Sequence, residues 1–263
     1  MLIAQITDPH VMRAGKLVYG KLDSTAHLAR AVDRLNALDP RPDVVLVTGD
    51  LVDAGSAEEY GRLRAELERL EIPYRLIPGN HDARETLRAA FPEQPWSPTS
   101  PFCHYVDDAW PLRLIGLDSL VPGEVAGHVC AARRDWLAGV LAAAPDRPTL
   151  VFVHHPPFRT GIAHMDAKPM REAEALAGVI AAHRNVLRVV SGHVHRAMSA
   201  LWAGTLCTTC PSTAHQFALD LGAAPMVRWT EEPPGFQLHR YEAGLGIVTH
   251  GGVIAEHPTA RLA

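Results

Sequence analysis

The 263-residue sequence holds only four cysteines, Cys103, Cys130, Cys207 and Cys210, too few for a disulfide scaffold in a chain of this length. Cys207 and Cys210 have C-x-x-C spacing, but no second pair completes a zinc site and no neighbouring βαβ unit suggests a redox motif. They read as ordinary reduced thiols. No run of 18 apolar residues occurs, so no membrane-spanning helix is expected. The first apolar run begins at residue 2, without the basic start, longer apolar stretch and cleavage site of a secretory signal. The expectation is a cytoplasmic protein. Blocks of like charge, low-complexity tracts and internal repeats are also missing. The formal net charge of -4 supplies no overall basic field for a nucleic acid polymer or an anionic membrane. What remains is a composition of 47% hydrophobic and 21% charged residues, ample core for one large domain or a domain with an appendage.

Apolar runs at 2–6, 44–48, 74–77, 112–117, 150–153 and 187–190 read as buried strands. Amphipathic patterns at 24–38, 56–70, 131–143 and 170–183 read as helices between them. Ser24 and Ser56 stand at helix starts as cap signals, and Glu58 and Glu59 suit the positive end of the second helix. This alternation predicts an α/β fold. After Arg196 the pattern changes to short strands at 198–202, 205–208, 226–230, 236–241 and 246–249, with a turn at Pro233-Pro234-Gly235.

Chemistry-bearing residues follow the strands. In Asp8-x-His10 and His193-x-His195 an extended backbone would point residues i and i+2 the same way, toward one cation. Asp50 ends the run 44–49 and has two oxygens with which to bridge two ions. Asn80 offers a neutral amide oxygen, and His154 closes another strand. This nitrogen and oxygen set, without thiolate, suits Fe, Mn, Zn or Co. Gly49, Gly79 and Gly192 each precede a candidate ligand, where close backbone approach favours glycine. The stretch 78–82 also begins a predicted helix whose free N–H groups could face an anion. Two divalent ions, set against Asp8, Asp50 and one hydroxide, leave a net charge of about +1, a match for one phosphodiester anion.

Read in order, Asp8-Pro9-His10, Gly49-Asp50-Leu51-Val52-Asp53, Gly79-Asn80-His81-Asp82, His154-His155 and Gly192-His193-Val194-His195 resemble the motif series of the calcineurin-like metallophosphoesterase superfamily. Each motif is weak alone; all five in order are specific, and they span residues 8–195. Leu17-Val18-Tyr19-Gly20, His164-Met165-Asp166 and Ser212-Thr213-Ala214-His215-Gln216 resemble a bacterial subgroup that contains class III cyclic-nucleotide phosphodiesterases and glycerophosphodiesterases. The resemblance implies an αββα sandwich, two mixed β-sheets face to face with helices outside. Residues 1–196 would form the core, and the β-rich segment 197–263 would complete the second sheet and cover the site. It implies two divalent ions, one held by Asp8, His10, Asp50 and His195, the other by Asp50, Asn80, His154 and His193, with a bridging hydroxide as the nucleophile on phosphorus. His81 would touch a phosphate oxygen or protonate the leaving alkoxide; both roles stand open. Tyr19 and His215 would border the substrate pocket. The subgroup's tendency to associate implies a homo-oligomer, dimer or larger.

Blander readings apply elsewhere. His155 orients a neighbour, and Asp53 contributes hydrogen bonds behind the site. His164 and Asp166 are divided between pocket and packing. His27, His183, His239, His250 and His257 read as surface or packing residues, and Arg133-Arg134 as a solvated helix face. The expected activity is metal-dependent hydrolysis of a small phosphodiester. The alternatives are a phosphatase or nuclease of the same superfamily, or a metal-binding scaffold without activity.

Overall fold

A computed structural model of the chain describes residues 1–222 and 226–258; 223–225 and 259–263 of the predicted C-terminal segment lie outside the described residues. In chain order the elements are β1 (Leu2–Ile6), α1 (Ser24–Asn36), β2 (Val44–Thr48), α2 (Ala57–Leu67), β3 (Tyr74–Ile77), α3 (Arg84–Ala90), β4 (Tyr105–Asp107), β5 (Arg113–Leu117), α4 (Ala131–Ala142), β6 (Thr149–Val153), α5 (Ala163–Asp166), α6 (Ala173–Ala181), β7 (Val186–Ser191), β8 (Met198–Trp202), β9 (Thr205–Thr209), β10 (Gln216–Phe217), β11 (Trp229–Thr230), β12 (Gly235–Glu242) and β13 (Gly246–Val253). No helix among the described residues is long and apolar enough to cross a membrane.

Two mixed sheets carry the fold, ordered β13-β12-β1-β2-β3 and β4-β5-β6-β7-β9-β8. The pleat sends alternate residues to opposite faces. Ile3, Val44, Leu46 and Ile77 of the first sheet meet Leu114, Leu150, Phe152 and Val190 of the second in a shared core. Ala4, Ile6, Val45 and Val47 face outward onto Leu28, Val32 and Leu35 of α1 and Leu63 and Leu67 of α2. On the other side Ile115, Val151, Val153 and Val189 pack against Leu137 and Leu141 of α4 and Leu176 and Ile180 of α6. Strands buried on both faces need apolar residues at every position, hence the unbroken runs in the sequence. The result is the four-layer αββα sandwich.

Local signals and tertiary structure part in several places. Asp23, not Ser24, caps α1, accepting from the Ala26 N–H at 3.0 Å; the Ser24 hydroxyl donates to the His10 carbonyl at 2.6 Å. Ser56 does cap α2, in a reciprocal box with Glu59. The predicted strand at 226–230 shrinks to β11, a two-residue partner of β10. The C-terminal segment divides: β9 pairs with β7 and β8 with β9, while β12 pairs with β1 and extends the first sheet. Short alternating strands carry no mark of which sheet they will join. Arg133, expected in solvent, is buried. It stacks over Phe102 at 4.3 Å and donates to the Asp118 and Leu120 carbonyls. A guanidinium that finds carbonyls and a ring face can be taken out of water.

Candidate metal centre

The turns after β1, β2 and β3 of the first sheet and after β6 and β7 of the second all open at one end of the sandwich. They carry Asp8 and His10, Asp50, Asn80, His154, and His193 and His195. The paired ligands do not converge by strand alternation, as the spacing predicts. Asp8 (φ 51°), His10 (φ 43°), Asp50 (φ 45°), His193 (φ 69°) and His195 (φ 51°) all take left-handed backbone. Side chains with a Cβ rarely adopt that region, and it persists where surrounding contacts over-determine it. Here they do: the Asp8 N–H donates to the Gly49 carbonyl at 3.1 Å, the His10 N–H to the Asp50 carbonyl at 3.0 Å, and the His193 N–H to the Asp8 carboxylate at 3.0 Å. Glycine admits the close approach. A Cβ on Gly79 would lie 2.2 Å from Asp50 Oδ1, and one on Gly192 2.0 Å from Thr7 Oγ1.

The donor atoms fall into two groups joined by Asp50. His195 Nε2 stands 3.3 Å from Asp8 Oδ1 and 3.2 Å from His10 Nε2, and His10 Nε2 is 3.7 Å from Asp50 Oδ2. The other Asp50 oxygen, Oδ1, is 3.4 Å from His154 Nε2, which lies 3.3 Å from Asn80 Oδ1. The His193 ring lies 5.1 Å from that of His154, and its Nε2 is buried without a hydrogen-bond partner among the described residues.

These residues fit divalent ions. A buried nitrogen without a partner is uncommon in a folded protein. Imidazole nitrogens turned toward one another and toward carboxylate oxygens suit a shared cation better than a shared proton. The orientation is fixed from behind, since His154 Nδ1–H donates to the Thr48 carbonyl at 2.8 Å and His195 Nδ1–H to the His215 carbonyl at 2.9 Å. Each ring therefore presents Nε2 inward. Burial lowers the pKa of both His10 and His193 to about 3, keeping them in the neutral form that binds metal. Asp8, despite burial, is lowered to about 2 by His195 and His154. His154 is raised to about 9 because Asp50 and Asp8 outweigh its burial. Positive charge is thus favoured where the second group converges.

Asp53, His81 and His155 surround the groups. His81 Nδ1–H donates to the Asp53 carbonyl at 2.7 Å, leaving Nε2 without a partner among the described residues. Burial opposes its charge, but Asp50, the Asp53 carbonyl and the Asp53 carboxylate raise its pKa. Three of the four N–H groups of the 79–82 turn are spent within the protein, Gly79 on Asp82 at 2.7 Å, His81 on Asp50 at 2.9 Å and Asp82 on the Gly79 carbonyl at 3.3 Å. They do not form the open anion cradle expected of a helix start. Both nitrogens of His155 are engaged, with the Ser119 hydroxyl at 2.8 Å and the Val125 carbonyl at 3.0 Å. Its ring packs 4.6 Å from that of His193.

Outside the donor groups opens a cleft of about 540 Å³, lined in part by Tyr19, His81, His164 and His215. Tyr19, also left-handed at φ 51°, stacks on Trp229 at 5.4 Å and lies 3.3 Å from His215 Nε2 through its hydroxyl. Asp166 is not on the cleft wall; it accepts from the Thr160 and Gly161 N–H groups at 2.7 and 3.0 Å. Met165, from the segment singled out for its resemblance, lines the cleft, as do Lys168 and Phe217, which sequence reasoning missed. They belong to no metal-binding spacing, and only their nearness to the His164 and His215 segments could have drawn attention to them. All four cysteines are free, with Cys207 in β9 and Cys210 bonded through Sγ to the Gln5 carbonyl at 3.4 Å.

A family model described as calcineurin-like phosphoesterase matches residues 1–197. The chain is similar to a protein of Arcobacter nitrofigilis named "Probable glycerophosphodiester phosphodiesterase", at 37% identity over 257 residues, covering 97% of this chain and 94% of that protein. It is 32% identical over 219 residues to the 3',5'-cyclic adenosine monophosphate phosphodiesterase of Haemophilus influenzae, covering 83% of this chain and 78% of that one. Among solved structures, a dimetal phosphatase from Danio rerio superposes with a TM-score of 0.71 at 16% identity, covering 97% of both chains. That likeness shows the fold.

Proposed function

The chain belongs to the calcineurin-like phosphoesterase family, and on that premise we propose that it is a dinuclear metal-dependent phosphodiesterase. It hydrolyses small phosphodiesters, 3',5'-cyclic nucleotides or glycerophosphodiesters, to a phosphomonoester and an alcohol. The observation that carries the reading is the cluster of donors at the floor of the cleft, Asp8 with His10 and His195 and Asp8 with Asp50 and His154, with the second Asp50 oxygen 3.7 Å from His10 Nε2 and His193 Nε2 buried and unpartnered among the described residues. Relatives named for both substrates support it.

In this reading Asp8, His10, Asp50 and His195 hold one ion, and Asp50, Asn80, His154 and His193 the other. Fe, Mn, Zn and Co all suit the set. When bound, the ions supply an activated water as nucleophile and Lewis acidity on the phosphoryl oxygens. His81, through its free Nε2, donates a hydrogen bond to a phosphate oxygen or a proton to the departing alkoxide. Tyr19 and His215 bound the space for the alcohol. Cytoplasmic location and assembly into a homo-oligomer complete the proposal; free cysteines and exposed apolar residues such as Leu201 and Leu245 support them.

Turnover of bis(p-nitrophenyl) phosphate with Mn²⁺ tests the chemistry. Asn80→Ala is expected to lower it severely, and equal turnover by both proteins would sink the proposal. A panel of cAMP, 2',3'-cyclic nucleotides, glycerophosphodiesters and p-nitrophenyl phosphate, compared by kcat/KM, ranks the substrates. A preference for the monoester would overturn the diesterase assignment.

A further inference from the structure

We infer that Tyr60, a residue of α2 with no metal-binding atom in the site, is a positioning residue for the second metal subsite. Its hydroxyl braces Asp82, which ties the turn carrying Asp50 to the turn carrying Asn80. The inference rests on the reading of Asp50, Asn80, His154 and His193 as ligands of one ion.

Tyr60 is wholly buried in the core outside the first sheet. Its hydroxyl donates to Asp82 Oδ1 at 2.8 Å and accepts from the Ala83 N–H at 3.0 Å. Asp82 Oδ2 accepts from two backbone N–H groups on different turns, Gly79 at 2.7 Å and Leu51 at 3.1 Å. Those groups flank the ligands, since Leu51 follows Asp50 and Gly79 precedes Asn80. A further bond, from the His81 N–H to Asp50 Oδ1 at 2.9 Å, closes the seam from the other side.

Phenylalanine would fill the same apolar space, so core packing alone does not call for a hydroxyl here. A buried hydroxyl is costly unless bonded, and this one spends both its donor and its acceptor at the base of the Asn80 turn. Without it, Asp82 Oδ1 and the Ala83 N–H lose their partner together. The carboxylate then keeps its two backbone donors on Oδ2 but loses the bond that fixes its rotation, and the register of the two ligand turns is held less tightly. Asp8, His10 and His195 lie on turns that Asp82 does not touch, so the first subsite keeps three of its four ligands in place and is reached only through the shared Asp50. The brace therefore weighs more on the second ion, whose Asp50 and Asn80 it holds in register, than on the first.

The test is calorimetric titration of the metal-stripped full chain with Mn²⁺, with metal analysis of the loaded protein. Native protein is expected to bind two equivalents. Tyr60→Phe is expected to bind the second ion roughly 10- to 100-fold more weakly and the first, three of whose four ligands lie on other turns, with a smaller loss. Asp82→Asn, which keeps the shape but disturbs the acceptor geometry, is expected to show the same selective loss. Circular dichroism and Tm of both variants report the fold separately. Two ions bound by Tyr60→Phe within twofold of native affinity would overturn the brace, whatever its Tm. So would equal weakening of both ions, the mark of general destabilisation. Fewer than two ions in the native chain would overturn the ligand reading itself, and the brace with it.

Discussion

The floor and the wall of the cleft are built on opposite principles. The floor is buried, with Asp8 and His154 at 0% exposure. Its residues stand on turns that grow directly from the strands of the two sheets, β1, β2 and β3 in one and β6 and β7 in the other, and their hydrogen bonds run to neighbouring strand ends. The wall is open, with Tyr19 at 54% and Val227 at 58% exposure. It comes from the 12–22 loop, the four-residue α5 with the residues just after it, the 215–217 stretch that ends in β10, and Val227. The difference teaches a division of labour. In the proposed reading, metal chemistry, which tolerates little displacement, would sit where two sheets fix position, and recognition of the alcohol on segments that can change without disturbing the sheets.

Breaking the floor should have the largest consequence. Asp50→Ala removes the carboxylate whose two oxygens face His10 and His154 respectively. It is expected to lower kcat/KM on bis(p-nitrophenyl) phosphate by about three orders of magnitude, the worth of several kcal/mol of charge stabilisation. A loss below tenfold would mean that Asp50 does not join the groups.

The next test concerns the support beneath the floor. His239 is fully buried, with Nε2 3.1 Å from Gln5 Oε1, and the Gln5 amide donates to Thr48 Oγ1 at 2.9 Å and to the Ser191 carbonyl at 3.0 Å. Burial, with a contribution from Arg188, lowers its pKa to about 3. The folded value lies below the unfolded one of about 6.5. The stability held by neutral His239 is therefore complete above pH 6.5 and is lost as pH falls toward 3. Native protein is expected to lose about 1.4 kcal/mol per pH unit more than His239→Gln between pH 6 and 4. Parallel stability curves in denaturant titrations would remove His239 from the acid response.

Gly79→Ala drives a methyl group against Asp50. It is expected to cost about 1–3 kcal/mol, as overpacking does, and to weaken Mn²⁺ binding. An unchanged denaturation midpoint would show that the floor is softer than its contacts imply. The smallest effect belongs to the wall. Tyr19→Ala should retain both ions in metal analysis and change kcat/KM on the preferred diester by about tenfold, the scale of one aromatic contact. A loss of metal would erase the distinction between wall and floor.

The floor was also the more legible region. Its strands matched their apolar runs within a residue, because a strand covered on both faces must be apolar throughout and that demand is local. Asp8, His10, Asp50, Asn80, His154, His193 and His195 were readable because few other residue types offer hard donors at strand ends. The wall was half legible. Tyr19 and His215 were found through resemblance, whereas Lys168 and Phe217 carry no pattern, since a cleft wall is assembled from segments distant in sequence. The reduction of the 226–230 strand to β11 and the burial of Arg133 escaped for the same reason, as both depend on partners supplied by other parts of the chain.

The sequence by itself determined the α/β class, the donor atoms and their order along the chain. All of these rest on side-chain chemistry and on a period of two along each strand. Only the tertiary structure decided that β8 and β9 join one sheet and β12 and β13 the other, that the ligand turns are left-handed, and that the N–H groups around Asn80 are spent on Asp50 and Asp82. Those outcomes are settled by hydrogen-bond partners and packing between residues far apart in sequence, which no local pattern specifies.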